Sequence, residues 1–162
     1  MDILDAMLAQ TPVQIAWVTR DLDATEQTLT TLLGAKKWVR MPGVHFAPDA
    51  CTYRGEPADF VADISLSYAG DTQLELIAPV SGRSIYTEFL DTAGPGLHHI
   101  CVEVDDVDAA LAQRGAEAVQ RGVMAGGMEF AYVAAAGVPY LEIARIPDEI
   151  RAFFDYIKQE QQ

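Results

Sequence analysis

The chain is short of positive charge, of cysteine and of long apolar runs. Lys and Arg together number 11 against 24 Asp and Glu in 162 residues, a formal net charge of -13. No Lys/Arg cluster is present to replace counterions on phosphate, which argues against nucleic-acid binding. The two cysteines, Cys51 and Cys101, lie far apart and fit neither a disulfide framework nor a zinc pattern. They read as buried or half-buried free thiols of a reducing cytoplasm. No apolar run approaches the roughly 18–20 residues of a membrane span. The stretch 130–141 comes nearest, and Gly137 and Pro139 interrupt it. The opening Met1-Asp2-Ile3-Leu4-Asp5 is acidic where a signal peptide is basic. A cytoplasmic protein with neither a membrane nor a nucleic-acid partner is expected.

What is present is an apolar half of the sequence and a cryptic duplication. One stretch runs Gln14-Ile15-Ala16-Trp17-Val18-Thr19-Arg20-Asp21-Leu22-Asp23-Ala24. A second runs His99-Ile100-Cys101-Val102-Glu103-Val104-Asp105-Asp106-Val107-Asp108-Ala109. In register, Ile, two Asp and Ala recur and the apolar positions coincide. Each stretch is followed much later by a carboxylate between aliphatic neighbours, Leu74-Glu75-Leu76 and Leu141-Glu142-Ile143. A repeated half with one polar group on its first strand and one on its last can bring four ligands to one centre.

The periodicities predict the elements. Ile3, Leu4, Met7 and Leu8 suit a short amphipathic helix over 2–10, ended by Pro12. Residues 13–19 read as a strand, and a helix capped by Asp21 or Asp23 runs to Leu33 with Gly34 as terminator. Strands are expected at 36–41, 60–68 and 72–78. The segment 42–59 holds Pro42, Gly43, Pro48, Gly55 and Pro57, so it is expected as a long loop or loosely paired hairpin. A short helix over 85–90 sits in a linker, and the second half then gives strands at 97–104, 117–123, 128–134 and 138–144, with a helix at 107–114. Ile150, Phe153, Phe154 and Ile157 put one apolar stripe on a last helix. Apolar stripes at both termini suggest a homodimer, though the same stripes could instead close the chain's own sheet.

The expected class is α+β. Two paired βαβββ modules form a curved, cup-shaped mixed sheet with helices outside. A single domain spans 1–162, with module one at about 12–79, a linker at 80–96, module two at about 97–145 and a C-terminal helix at 147–160. Alternation along the strands points Gln14, Glu75, His99 and Glu142 into the cup, opposite the bulkier aliphatics. It also sends His98 to the face opposite His99. Asp63 is notable as a carboxylate in an otherwise apolar strand. His45, in the 42–59 segment, could line the pocket. Asp21, Asp23, Asp105, Asp106 and Asp108 read as helix-start residues and not as an ion site.

The chain resembles the vicinal-oxygen-chelate superfamily of glyoxalases, bleomycin-resistance proteins and extradiol dioxygenases. The residues that carry the resemblance are Gln14 to Asp23, Glu75-Leu76-Ile77-Ala78-Pro79, and Gly94-Pro95-Gly96-Leu97-His98-His99-Ile100 with Val104-Asp105-Asp106-Val107. The segment Ser84 to Leu90 is most similar to the methylmalonyl-CoA epimerase branch. The resemblance implies one divalent ion (Zn, Ni, Co, Mn or Mg) held by Gln14, Glu75, His99 and Glu142. This Gln/Glu/His/Glu set matches some glyoxalases and departs from the His/Gln/His/Glu set typical of epimerases. A single histidine among the four weighs against oxygen chemistry, which needs two on iron. The implied reaction is proton abstraction next to a chelated carbonyl, as in an epimerase or isomerase, with Glu142 as base and Asp63 as second candidate. The implied substrate is a small molecule, with acyl thioesters among the candidates. A glyoxalase I-type lyase acting on a thiol adduct is the alternative enzyme, and a non-catalytic sequestering protein the alternative outside enzymology.

Overall fold

The computed structural model describes residues 10–162, so the helix expected over 2–10 falls outside it except for its last residue. Along β1 (Pro12–Val18), Gln14, Ala16 and Val18 are buried while Val13, Ile15 and Trp17 are half-buried. That pattern suits a strand covered on both faces. Asp21 then accepts the Ala24 N–H and starts α1 (Leu22–Leu33), which stops at Gly34 with φ 77°. Only glycine adopts that conformation freely. The second half repeats the device. Asp106 accepts from Ala109 N–H to start α3 (Val107–Arg114). These carboxylates are caps, as their positions predicted.

The remaining elements are β2 (Val39–Phe46), β3 (Cys51–Tyr53), β4 (Glu56–Pro57), β5 (Phe60–Ala69), β6 (Thr72–Ser81), α2 (Ile85–Ala93), β7 (Gly96–Glu103), β8 (Gln120–Met124), β9 (Met128–Ala134), β10 (Tyr140–Arg145) and α4 (Asp148–Gln159). All ten strands form one mixed sheet in the order β2-β5-β6-β1-β7-β10-β9-β8-β3-β4. Each half has the same internal plan. β1 pairs parallel with β6, β7 pairs parallel with β10, and the halves meet where β1 and β7 run antiparallel. The strands that carry Gln14, Glu75, His99 and Glu142 are therefore four consecutive strands at the middle of the sheet.

The segment 42–59 is more ordered than its prolines suggested. β2 runs through Pro42 and Gly43 by a register shift between Met41 and Val44, on a strand that lies at the sheet edge. An edge tolerates proline because its missing N–H has no partner to lose. The hairpin expected here does form, as β3 and β4, but it is bonded to β8 of the other module. Cys51 lies opposite Gly122, where a Cβ would stand 2.5 Å from the Cys51 sulfur and 2.8 Å from the Ala50 carbonyl. Glycine at 122 permits this clasp between the halves.

Two helices lie as the aliphatic faces require: α1 rests on β6 and α3 on β9 and β10. α2 packs against β1 and β6, with Ile85, Tyr86 and Phe89 in the cluster that also holds Phe60 and Tyr132. Val102, Val107, Leu111, Val133 and Ile143 form the core beneath α3. α4 lies over the concave side. Its Ile157 is fully buried in a cluster with Phe60, Ile64, Leu66 and Phe130, and its Phe153 and Phe154 pack there too. Of the two uses foreseen for its stripe, the chain's own sheet takes it. Polar contacts tether the helix: Gln161 accepts from the Lys36 and Lys37 N–H groups, and Lys158 pairs with Asp71 at 2.6 Å. Exposed ion pairs add little. The burial of the stripe, at about 1.5–3 kcal/mol per large side chain, fixes the helix.

Candidate metal centre

The four inward side chains meet at one atom. His99 Nε2 lies 3.2 Å from Gln14 Oε1, 3.5 Å from Glu75 Oε1 and 3.5 Å from Glu142 Oε1. Neighbouring donors on one first-row ion bound at about 2.1 Å stand about 3.0–3.4 Å apart. The spacing about His99 is close to that. All four residues are wholly or largely buried, and His99 is only 2 % exposed. Among the described residues no group of three or more His, Cys, Asp or Glu side chains is arranged to hold a metal ion as it stands. Glu75 and Glu142 each contact the imidazole separately, and Gln14 adds an amide oxygen.

Supporting contacts aim two of these donors. Gln14 Nε2 donates to Gln73 Oε1 at 2.6 Å, and Gln73 Nε2 donates to the Tyr68 hydroxyl at 3.2 Å. That relay turns the Gln14 carbonyl oxygen toward His99, the orientation a cation needs. On the other side, His99 Nδ1 and His98 Nδ1 are 2.7 Å apart. The alternation rule misplaced His98. β1 and β7 slip register between Ala16 and Trp17, so Ala16 faces His99 while Trp17 faces Leu97. The bulge leaves His98 on the same side as His99, where its ring lies 4.9 Å from Tyr140, 5.0 Å from Phe89 and 5.7 Å from Tyr132. A bulge of this kind re-aims a side chain.

The charges follow from this packing. Burial, with the adjacent His99 charge, lowers His98 to about 2, so it is a neutral acceptor for the His99 Nδ1–H. For His99, burial alone would lower the value. Hydrogen bonds and charge from Glu142 and Glu75 outweigh burial and raise it to about 9. Burial raises Glu75 above the ordinary carboxylate value; the bond to His99 opposes this and the Glu142 charge adds to it. Tyr132 and Tyr86 share a 2.6 Å hydroxyl bond beside the centre, and burial first, then the Glu142 charge, pushes both up. Cys101 is buried, its thiol raised by burial and by Glu142, so it stays a thiol as expected.

A cavity of about 300 Å3 opens beside Gln14 and Glu75, walled by Met41, Phe46 and Leu66 and by Phe153 and Phe154 of α4. His45 lines it too, with Nε2 2.6 Å from Asp59 Oδ1. Asp63 is not brought to the site. It pairs with Ala78 in the same alternation as Ser65 and Ser67, whose hydroxyls bond to Glu26 and to the Lys37 carbonyl on the outer face. Its carboxylate accepts the Gly43 N–H at 2.8 Å and holds the β2 bend. Period-two alternation already placed Asp63 opposite Ile64 and Leu66. The same rule would have found Gln73, which shares the face of Glu75. Nothing in the sequence marked the bulge at His98.

Residues 13–132 match the Glyoxalase/Bleomycin resistance protein/Dioxygenase superfamily. The chain belongs to that superfamily. Superfamily relatives of known structure share the fold. The crystal structure of methylmalonyl-CoA epimerase from Mycobacterium tuberculosis superposes with a TM-score of 0.63 at 19% identity, over 91% of this chain and 99% of that one. A Streptomyces coelicolor methylmalonyl-CoA epimerase in complex with 2-nitronate-propionyl-CoA gives 0.51 at 17% identity, over 85% and 98%. In sequence, 44 residues are 46% identical to the mitochondrial methylmalonyl-CoA epimerase of Mus musculus. That match spans about a quarter of each protein, 26% of this chain and 24% of the mouse one. No helix among the described residues is long and apolar enough to cross a membrane.

Proposed function

We propose that this superfamily member is a metal-dependent enzyme that removes and returns a proton next to a carbonyl group, as an epimerase or isomerase. The observation that carries the reading is the convergence of Gln14, Glu75 and Glu142 oxygens on His99 Nε2 at 3.2–3.5 Å, with Gln14 and Glu75 also lining a largely apolar cavity. The likeness to epimerases supports the reaction type. Gln14, Glu75, His99 and Glu142 would hold one divalent ion. When bound, that ion supplies Lewis acidity toward a carbonyl, worth several kcal/mol of charge stabilisation. One imidazole, one amide oxygen and two carboxylates suit Zn, Ni, Co, Mn or Mg alike.

The protein's part is positioning, dryness and proton transfer. The Gln73 relay and His98 hold two donors in place before substrate arrives. Phe153 and Phe154 line the cavity with apolar surface, so a substrate seated there would displace water and strengthen every charge interaction within. We assign the base to Glu142, which is 4 % exposed and contacts His99. A second reading gives that role to Glu75, because it lines the cavity and burial raises its carboxyl above the ordinary carboxylate value, the direction that favours a base. Deuterium exchange at C2 of a 2-methyl acyl thioester, followed by NMR in Zn-supplemented protein, tests both. Glu142→Gln is expected to slow exchange about 100-fold or more, with Glu75→Gln acting mainly through weaker metal retention. The reverse pattern moves the base to Glu75. Absence of exchange across thioesters and 2-keto compounds, with turnover of a 2-oxoaldehyde–thiol adduct, favours the lyase alternative.

A further inference from the structure

We infer that the substrate's reacting carbon carries an uncharged, apolar substituent and not a second carboxylate. This rests on the proposed reading of the centre and names the class of molecule the cup selects.

The argument begins with charge. A divalent ion with Glu75 and Glu142 sums to zero, because Gln14 and a His99 that ligates through a deprotonated Nε2 are neutral. The centre therefore has no surplus positive charge with which to hold an added anion. The cavity beside it offers none either. Its walls are Met41, Val44, Phe46 and Leu66 on one side and Ile150, Phe153 and Phe154 on the other, with no Lys or Arg among the described residues. Residues 1–9 contain no Lys, Arg or His, so they cannot supply one. Among the described residues His45 is the one further titratable group on the wall, and Asp59 already faces it at 2.6 Å.

Two cations do stand nearby, across Gln14 and Phe154 in a neighbouring recess of about 160 Å3. Both are committed. Arg151 is paired with Glu103, and Lys158 pairs with Asp71 at 2.6 Å. Asp155 lines the same recess, so its formal balance is negative. A malonyl-type substrate would therefore bury its free carboxylate among thioethers and phenyl rings without a partner, the costliest arrangement for a charge. An aliphatic branch in the same place gains contact with those groups. The cavity volume, about 300 Å3, suits a short branched acyl group.

The test compares two near-isosteric probes, the N-acetylcysteamine thioesters of 2-methylbutanoic acid and of methylmalonic acid. They differ by ethyl against carboxylate and share a neutral carrier. Each is titrated calorimetrically into the full-length, Zn-supplemented protein. At least about tenfold tighter binding of the 2-methylbutanoyl ester is expected, and Met41→Arg, which adds a cation to the wall, is expected to narrow or reverse the preference. Equal or tighter binding of the methylmalonyl ester to the unaltered protein overturns the inference, as does binding of neither. Proton exchange at C2, read in the same samples, separates the two claims. Apolar preference without exchange removes the proposed reaction and leaves the selectivity. Exchange with methylmalonyl preference does the opposite.

Discussion

At the scale of single residues, His98 shows how a group with no direct part in chemistry can set the site. A ligating imidazole needs its other nitrogen held by an acceptor, and that partner is usually a carboxylate or carbonyl. Here it is a second imidazole, sealed from solvent and neutral, 2.7 Å from His99 Nδ1. A neutral ring accepts the His99 proton without adding negative charge to a centre that already holds two glutamates. His98→Leu is expected to weaken Zn binding about 10–100-fold, measured by chelator competition, because His99 loses its preferred tautomer. His98→Asn, which keeps an acceptor in reach, should recover part of the loss. Equal affinity in the wild-type and Leu proteins would show that His99 needs no such partner. Gln14, Glu75, His99 and Glu142 were legible because their positions follow plain alternation on strands matched by duplication. His98 was not, because a one-residue bulge reverses a face and no residue type announces it. Asp63 shows the limit of ranking a carboxylate by its apolar neighbours. Alternation already set it against the outer face, where it fastens a bend.

At the scale of elements, the duplicated strands and helices were readable from their apolar periods and their Asp caps. The two elements that join the halves were readable only in part. The β3–β4 hairpin lies in a proline-rich stretch, and its partner β8 is some seventy residues away, a pairing no local pattern encodes. α4 was visible as an amphipathic helix, but an apolar stripe does not say which surface it covers. The structure gives it the concave side, where Ile157 is 0 % exposed. Its hold is therefore expected to depend on apolar burial more than on its tethers. Ile157→Ala should cost about 2–5 kcal/mol in urea unfolding, whereas Lys158→Ala, which removes an exposed ion pair, should leave the midpoint almost where it was. Comparable losses in both would mean that the tethers, and not the stripe, seat the helix.

For the whole molecule, the acidic composition and the buried centre together make stability depend on pH in a direction unusual for a carboxylate-rich protein. Paired carboxylates commonly lose stability as pH falls. In the ion-free protein the group that titrates at neutral to alkaline pH is His99, which burial would lower but Glu142 and Glu75 raise from an ordinary 6.5 to about 9. A group held above its unfolded value contributes fully below about 6.5, and its contribution disappears as pH rises through about 9. Burial raises Glu75 as well, so its ionisation on folding is a cost that also grows with pH. Both terms act in the same sense, and the His99 part alone is on the order of 3 kcal/mol. The proton on His99 Nε2 stands where an ion would bind, so metal and proton compete for one nitrogen. Chelator-treated protein is expected to lose thermal stability steadily between pH 6.5 and 9, while Zn-loaded protein holds or gains across the same interval. Calorimetric titration of Zn in buffers of different ionisation enthalpy should register release of about one proton per ion near pH 7. A chelated protein whose midpoint stays flat over that interval would mean that His99 is not bound to the two glutamates, and the centre would lose its electrostatic basis.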